Sequence, residues 1–552
     1  MVIRDVPQEI WWLVCQDLQR QQDFKSLFNC GLVCKGWALH ALPLLYSIND
    51  PTSSDDVGTT SYGKFPWAEM WRSIILSSVG VTAHPYCLWL KFLGLSDLES
   101  LLNDVAINAS LRPRFFKGPM KEFEIVSGSS KTRYGKPILE MQKIIEKVGD
   151  TITKYAKDAA EQENKAVQLT SLEGGNLPTP LLAVWTSRLS TLTTLSIRDG
   201  SVLTEEVGNA IRESCPAFRD LTCYHIRGPT VDENMSAFFR ALQQNSLETF
   251  AVLSTNEIGY ETLEGLMQHS LSLKTLNLSS LQNTSLAFLH LLSACPYLES
   301  LQIQSSTPSP PSAWAAGDKD PLIDVATWLK GSTHLRKLSI QNLGGASKML
   351  SEALKSSDLR LKDLDVKLID DEEAFYTSLG SQSDLESLQF RSTAEVIDNN
   401  GVRHDTFVDS ICDCKKLKDL DITYTEHLQL SPSDLSQIKE CLPNLETLQF
   451  DGEFLTDAIW EPLSGMPSLT TINIMGSSIF TFQGIRDFLK TVKSIGIRHG
   501  FHLSVMAQQS EAIISPSQVN TLSNLAATMP GGGFDFQYWR DPSEDEMSDL
   551  SD

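Results

Sequence analysis

The chain has 552 residues, 41% hydrophobic and 21% charged, and its 69 acids against 46 Lys and Arg give a formal charge of −23. This length predicts about three to four domains, and so much apolar material excludes a wholly disordered chain. The acidity argues against binding nucleic acid, which needs clustered cations to displace counterions, and against docking on an anionic membrane.

Residues 1–46 predict a small all-α module. Helical periodicity runs through Ile10, Leu13, Val14 and Leu18, then Phe24, Leu27 and Phe28, then Leu32, Val33 and Trp37. Pro7 followed by Glu9 fits a helix start. Forty-odd residues rarely bury enough surface to be stable alone. Because the segment also carries Trp11, Trp12 and Trp37, it either packs on the rest of the chain or presents an apolar surface to a partner. Asp5, Pro7 and Glu9 occupy the place where a signal peptide needs a basic and then an apolar stretch. Ile74 to Leu95 is broken by His84, Pro85 and Lys91 and does not read as a membrane span.

Residues 47–85 are expected to form a helical linker, and 86–190 a first repeat-like unit (Leu90, Leu93, Leu95) with a helical insertion. In that insertion Met141, Ile145, Val148, Ile152 and Tyr155 form one helical stripe. Such a stripe packs on its own domain more often than it binds a partner.

From 191 to 505 a pattern of apolar, two polar, apolar, polar, apolar recurs. Its units begin at Leu192, Phe218, Leu247, Leu273, Leu298, Leu335, Leu361, Leu385, Leu417, Leu445 and Leu469, with a weaker copy at Val492, Ile495, Ile497. Successive steps are 26, 29, 26, 25, 37, 26, 24, 32, 28 and 24 residues, mostly within the period of leucine-rich repeats. Each unit predicts a short strand with inward Leu, Ile, Val or Phe, and a crossover to the next parallel strand. Several crossovers read as helices: Ser431 caps one with Pro432 in its first turn, and Leu435, Ile438 and Leu442 share its inner face. The expected fold is α/β: a small all-α module followed by a curved repeat solenoid, strands on the concave face and helices on the convex face.

Thr307 to Pro311 predicts a loop, and residues 506–552 a C-terminal extension ending in an acidic disordered tail. Ser543, followed by Glu544, Asp545 and Glu546, has the surroundings an acidophilic kinase prefers. Ten cysteines without a pair of CxxC motifs predict free thiols in a reducing compartment, cytoplasm or nucleus. Cys215, Cys295 and Cys441 recur just before strands, as buried structural thiols would.

The first module resembles a known family. Val6-Pro7-Gln8-Glu9-Ile10 is similar to the Leu-Pro-x-Glu-Ile opening of the F-box, Asp23-Phe24 to its Asp-Leu pair, and Leu32-Val33-Cys34-Lys35-Gly36-Trp37 to its Val-Cys-Lys-x-Trp ending. Val6 and Phe24 depart from the family's leucines but keep the hydrophobicity. Thr82 to Leu88 and Asp97 to Leu102 are similar to large fungal F-box proteins. The resemblance implies a non-catalytic substrate receptor of an SCF-type ubiquitin ligase. A Skp-family adaptor would bridge the module to a cullin and its RING partner, and the repeats would bind the protein to be ubiquitinated. Docking would fall to Val6, Pro7, Ile10, Leu13, Leu18, Leu27, Val33 and Trp37, although some of these, Leu27 and Trp37 above all, can instead hold the module together.

On each strand the residues flanking the central apolar one should face the concave surface. Most are small and neutral. Asp363, Asp365, Asp419 and Asp421 form an expected acidic patch for a basic substrate segment, with Lys337, Ser387 and Gln389 around them; an ordinary solvated face explains the same residues. Walker, HExxH and GxSxG motifs are missing, and no metal or cofactor is expected. Two other functions stay open: a repeat scaffold without a ligase role, and an enzyme with a site hidden on the concave face.

Overall fold

One strand per repeat, its inward apolar residues covered by the following crossover, sets the architecture. The computed structural model describes residues 7–21, 23–47, 64–108, 110–131, 137–162, 167–175, 177–309, 321–368, 370, 373–392, 402–425, 428–452, 454–495, 499–508 and 514–539. Val6, Pro310, Pro311 and the acidic tail lie outside the described residues. The chain divides into two units, 1–273 and 274–552.

The first unit opens with helices α1 (Gln8–Arg20), α2 (Phe24–Val33) and α3 (Lys35–Tyr46). A helix at Lys64–Ser78 follows, within the expected helical linker. Its strands are β1 (Phe92–Gly94), an antiparallel pair β2 (Val126–Lys131) and β3 (Pro137–Leu139), then β4 (Ser171–Gly174), β5 (Thr194–Asp199), β6 (Asp220–His225) and β7 (Thr249–Val252). The parallel order is β1-β4-β5-β6-β7. The first repeat-like unit at Leu90–Leu95 therefore belongs to the same parallel sheet. β4, with Leu172 buried and Leu169 buried just before it, joins it to β5, and sequence periodicity missed this strand because the insertion separates it from its neighbour. The inserted helix Met141–Gln162 buries Ile145, Val148 and Ile152, so its stripe packs within the unit.

The second unit contains β8 (Thr275–Leu281), β9 (Ser300–Ser309), β10 (Lys337–Leu343), β11 (Asp363–Leu368), β12 (Ser387–Ser392), β13 (Asp419–Ile422), β14 (Thr447–Asp451), β15 (Thr471–Gly476), β16 (His502–Gln508) and β17 (Gly533–Trp539). They pair in sequence order, all parallel. Leu338, Leu364, Leu388, Leu420, Leu448, Ile472 and Leu503 stand in one cross-strand row. Each is at most 2% exposed, and full burial of such a side chain contributes about 1.5–3 kcal/mol. Phe375, Tyr376, Phe390 and Phe407 fill the space between strand and crossover helices with ring pairs 5.6–5.8 Å apart. The result is an α/β leucine-rich-repeat fold.

Four expectations need correction. The parallel stack runs past 505 to Trp539 through β16 and β17. The weak copy at Val492 and Ile495 lies in the helix Phe482–Ile495, where buried Ile485, Phe488, Leu489 and Val492 complete a helical stripe that outweighs the short alternation; Ile497 is outside the described residues. Thr307–Ser309 continue β9, with Ser309 paired to Leu343, instead of forming a loop. Finally, Cys412 and Cys441 form a disulfide, Cα atoms 5.2 Å apart, so eight cysteines are free rather than ten. The crossover geometry brings these two together from successive units, a proximity that sequence spacing does not reveal. Cys215 and Cys295 are buried as expected.

The helix Pro432–Cys441 starts with a capping box in which Ser431 and Asp434 satisfy each other's backbone N–H. Asp434 also accepts from His404 Nε2 at 3.0 Å, linking it to the preceding crossover helix. That hydrogen bond, stronger than the opposing effect of burial, raises the His404 pKa above its usual value. Burial pushes Asp434 up, but hydrogen bonds from His404 and Ser431 outweigh it and hold the carboxyl down to about 2. His404 thus adds stability that is complete below about pH 6.5 and fades as pH rises through its raised folded value, while the Asp434 contribution is complete above about pH 4 and fades toward 2. His404→Ala is expected to cost about 1 kcal/mol at pH 5.5 and less at pH 9, measured by urea unfolding at both values.

Candidate protein-interaction surfaces

Helix α1 carries two stripes. Trp11, Cys15 and Leu18 turn inward; Cys15 joins Leu27, Ala41 and Leu44 in a small core, against which Leu18, Cys30, Trp37 and Leu45 pack. Trp11 stacks on Trp37 with ring centroids 5.3 Å apart. Gly36 permits this, since a Cβ there would stand 2.6 Å from the Trp11 ring. Asp23 caps α2, its carboxylate accepting from Ser26 N at 2.9 Å. The module is tied to the rest of its unit by Tyr46, whose hydroxyl meets Ser73 Oγ at 2.6 Å and whose ring lies 4.6 Å from that of Tyr86.

The other stripe of α1, Ile10, Leu13 and Val14, faces outward. Leu13 is 56% exposed, and on α2 Phe28, Leu32 (68%) and Val33 are exposed as well. Exposed apolar surface of this kind on three short helices makes them a candidate interaction surface. Of the residues expected to dock, Pro7, Ile10, Leu13 and Val33 are on the surface, while Leu18 and Trp37 are half-buried against the core. Leu27 is fully buried and is corrected from contact to core residue: it fills the centre of the cluster. Val14, Phe28 and Leu32, legible as helix-periodic positions, belong to the exposed set, as does Leu39, which the sequence reading did not name. Leu13→Asp and Leu32→Asp should each change unfolding free energy by less than about 0.5 kcal/mol, whereas Leu27→Ala should cost about 3 kcal/mol, as chemical denaturation would show.

The second surface is the strand layer of the second unit. Register places Lys337, Asp363, Ser387 and Asp419 in one row, and Asp365, Gln389 and Asp421 in the next. All seven expected residues therefore share a face, and five of them, Lys337, Asp363, Asp365, Ser387 and Gln389, line a shallow depression of about 300 Å³ that leaves out Asp419 and Asp421. The carboxylates there are largely compensated. Lys337 Nζ lies 3.2 Å from Asp363, and Asp365 accepts from Ser339 at 2.8 Å and Gln341 at 2.7 Å. Asp421 is buried, 3.3 Å from Arg391, and accepts from the Thr423 hydroxyl at 2.6 Å. The acidic patch is thus a hydrogen-bonded network with partners of its own.

At the strand entrances Glu386 bridges Lys362 at 3.1 Å and Lys418 at 2.8 Å, and hydrogen bonds from Lys418 and Lys362 hold its carboxyl down to about 2. Sequence reading did not find Arg391, which lies beyond the strand positions it examined and pairs with Asp421. Among the described residues no group of His, Cys, Asp and Glu could hold a metal ion, and no helix is long and apolar enough to cross a membrane.

No protein-family model and no curated protein matches this chain. Similar solved structures include an internalin (InlF) of Listeria monocytogenes, at 16% identity over 79% of this chain and 96% of that one, with a TM-score of 0.35. A chain of the yeast Rad7–Elc1 complex is 14% identical over 68% of this chain and 92% of that one, with a TM-score of 0.39. A chain of the TLR13–ssRNA13 complex is 14% identical over 67% of this chain and 56% of that one, with a TM-score of 0.34.

Proposed function

We propose that the chain is the substrate-recognition subunit of an SCF-type cullin–RING ubiquitin ligase. The observation that carries this reading is the outward apolar stripe of α1 and α2, left open on a module whose inner core is already filled. On this reading the module is an F-box, and Pro7, Ile10, Leu13 and Val33 meet a Skp-family adaptor, which bridges to a cullin and its RING protein. Leu27, Leu18 and Trp37 keep the three helices at the angle that presents those contacts. The repeat strands bind the protein to be ubiquitinated. The chain itself contributes binding geometry, and the ubiquitin chemistry belongs to its partners.

The test is co-expression with a Skp-family adaptor and cullin, followed by affinity purification. The wild type should recover both. Ile10→Asp combined with Leu13→Asp should cut adaptor recovery more than tenfold while the melting temperature stays unchanged. Adaptor without cullin would instead identify a scaffold without a ligase role, and recovery of neither would overturn the reading.

A further inference from the structure

The parallel stack of the second unit stops at β17, which pairs with β16 and with no other strand among the described residues. Gly533 N donates to Phe501 O at 2.9 Å, so Gly533 turns its N–H toward β16. In a parallel strand, residues that turn their backbone groups to one neighbour alternate with those that turn them to the other. Phe534, Phe536 and Tyr538 therefore face the open edge. The Phe534 carbonyl takes the Ser523 hydroxyl at 3.1 Å, which leaves the N–H and C=O groups of Phe536 and Tyr538 ready for another strand.

Proteins blunt such edges with short strands, Lys, Pro or bulges. β1, at the edge of the first unit, has only three residues. β17 runs for seven residues without Pro, Lys or a register shift. Its inward row is aromatic: Phe534, Phe536 and Tyr538 succeed one another with ring centroids 6.5 and 5.0 Å apart. Their register partners on β16, Leu503, Val505 and Ala507, are at most 1% exposed. Along β17 burial declines from Phe534, 5% exposed, to Tyr538, 40%. The Tyr538 hydroxyl accepts from Ile514 N at 2.8 Å, which holds that ring at the edge.

The edge matches itself. In two antiparallel copies of β17 centred on Phe536, Phe536 meets Phe536 and Phe534 meets Tyr538 of the second copy, so the aromatic row continues across the edge. Aromatic cross-strand pairs are among the stabilising ones. On the other face Asp535 stands opposite Gln537, and no like charges meet. Centring on Asp535 instead would set two carboxylates against each other. Antiparallel pairing also carries the acidic sequence after Trp539 to opposite ends of the pair. That sequence, residues 541–552, has six acids, Pro542 and no β-branched or aromatic residue, so its composition is unsuited to pairing with β17 itself.

We propose that β17 pairs antiparallel with β17 of a second copy of this chain, giving a two-fold dimer centred on Phe536. The proposal does not depend on the ligase reading.

Sedimentation velocity of the full chain over a concentration series at pH 8 tests it. A single strand pair is a small interface, so a weak, reversible monomer–dimer equilibrium is expected. Residue 537 is the probe, because its side chain is exposed on one copy and faces Asp535 of the other. Gln537→Lys should tighten the dimer about threefold or more, and Gln537→Asp should weaken it by about as much. Adding Asp535→Lys to Gln537→Lys should undo the gain, although it makes the chain still less negative overall. All three variants should keep the wild-type melting temperature at concentrations where the chain is monomeric. Ile10→Asp combined with Leu13→Asp should leave the dimer intact. A chain that stays monomeric at every concentration would overturn the proposal. So would a dimer indifferent to the charge at 537, a dimer that tightens further in the double Lys variant, a dimer lost with the α1 stripe, or a dimer that forms only after residues 541–552 are deleted.

Discussion

A repeat of some two dozen residues cannot bury its own apolar face, and the rest of the structure depends on that constraint. Leu364 on β11 is shielded only because Leu338 and Leu388 lie on either side in register and a crossover closes over it. Stability is therefore handed from neighbour to neighbour, and the outward strand positions are released from packing duty. They can carry Ser, Gln, Asp or Lys at little cost to the core, which is what makes such a layer useful for recognition.

The same constraint has a different outcome in the first 46 residues. Cys15, Leu27, Ala41 and Leu44 make a core, but it is too small to draw in both faces of α1. Trp11 and Leu18 go inward while Ile10, Leu13 and Val14 stay in water. An apolar stripe left open to water gains nothing unless a partner covers it, and that is the physical content of the proposed adaptor site.

How much was legible follows from what each signal measures. The leucine pattern located every strand from β5 to β15, because inward burial imposes the same alternation each time. It missed β4, set apart by an insertion, and it mistook Val492 and Ile495 for a strand, because three apolar residues do not distinguish an alternation from one edge of a helix. The eight residues expected to dock were named by resemblance, and periodicity alone could not separate the buried Leu27 from the exposed Leu32. The acidic residues of the strand layer were placed correctly on one face, but their ion pairs with Lys337 and Arg391 and their hydrogen bonds from Ser339 and Gln341 depend on cross-strand register.

The central claim is that the outward stripe of α1 and α2 is completed by another protein. Hydrogen–deuterium exchange of the full chain, with and without a purified Skp-family adaptor, tests it most directly. The account predicts new protection confined to residues 8–46, with β8 to β17 exchanging as before. Protection that appeared on the strand layer instead, or an adaptor that left residues 8–46 exchanging freely, would contradict it.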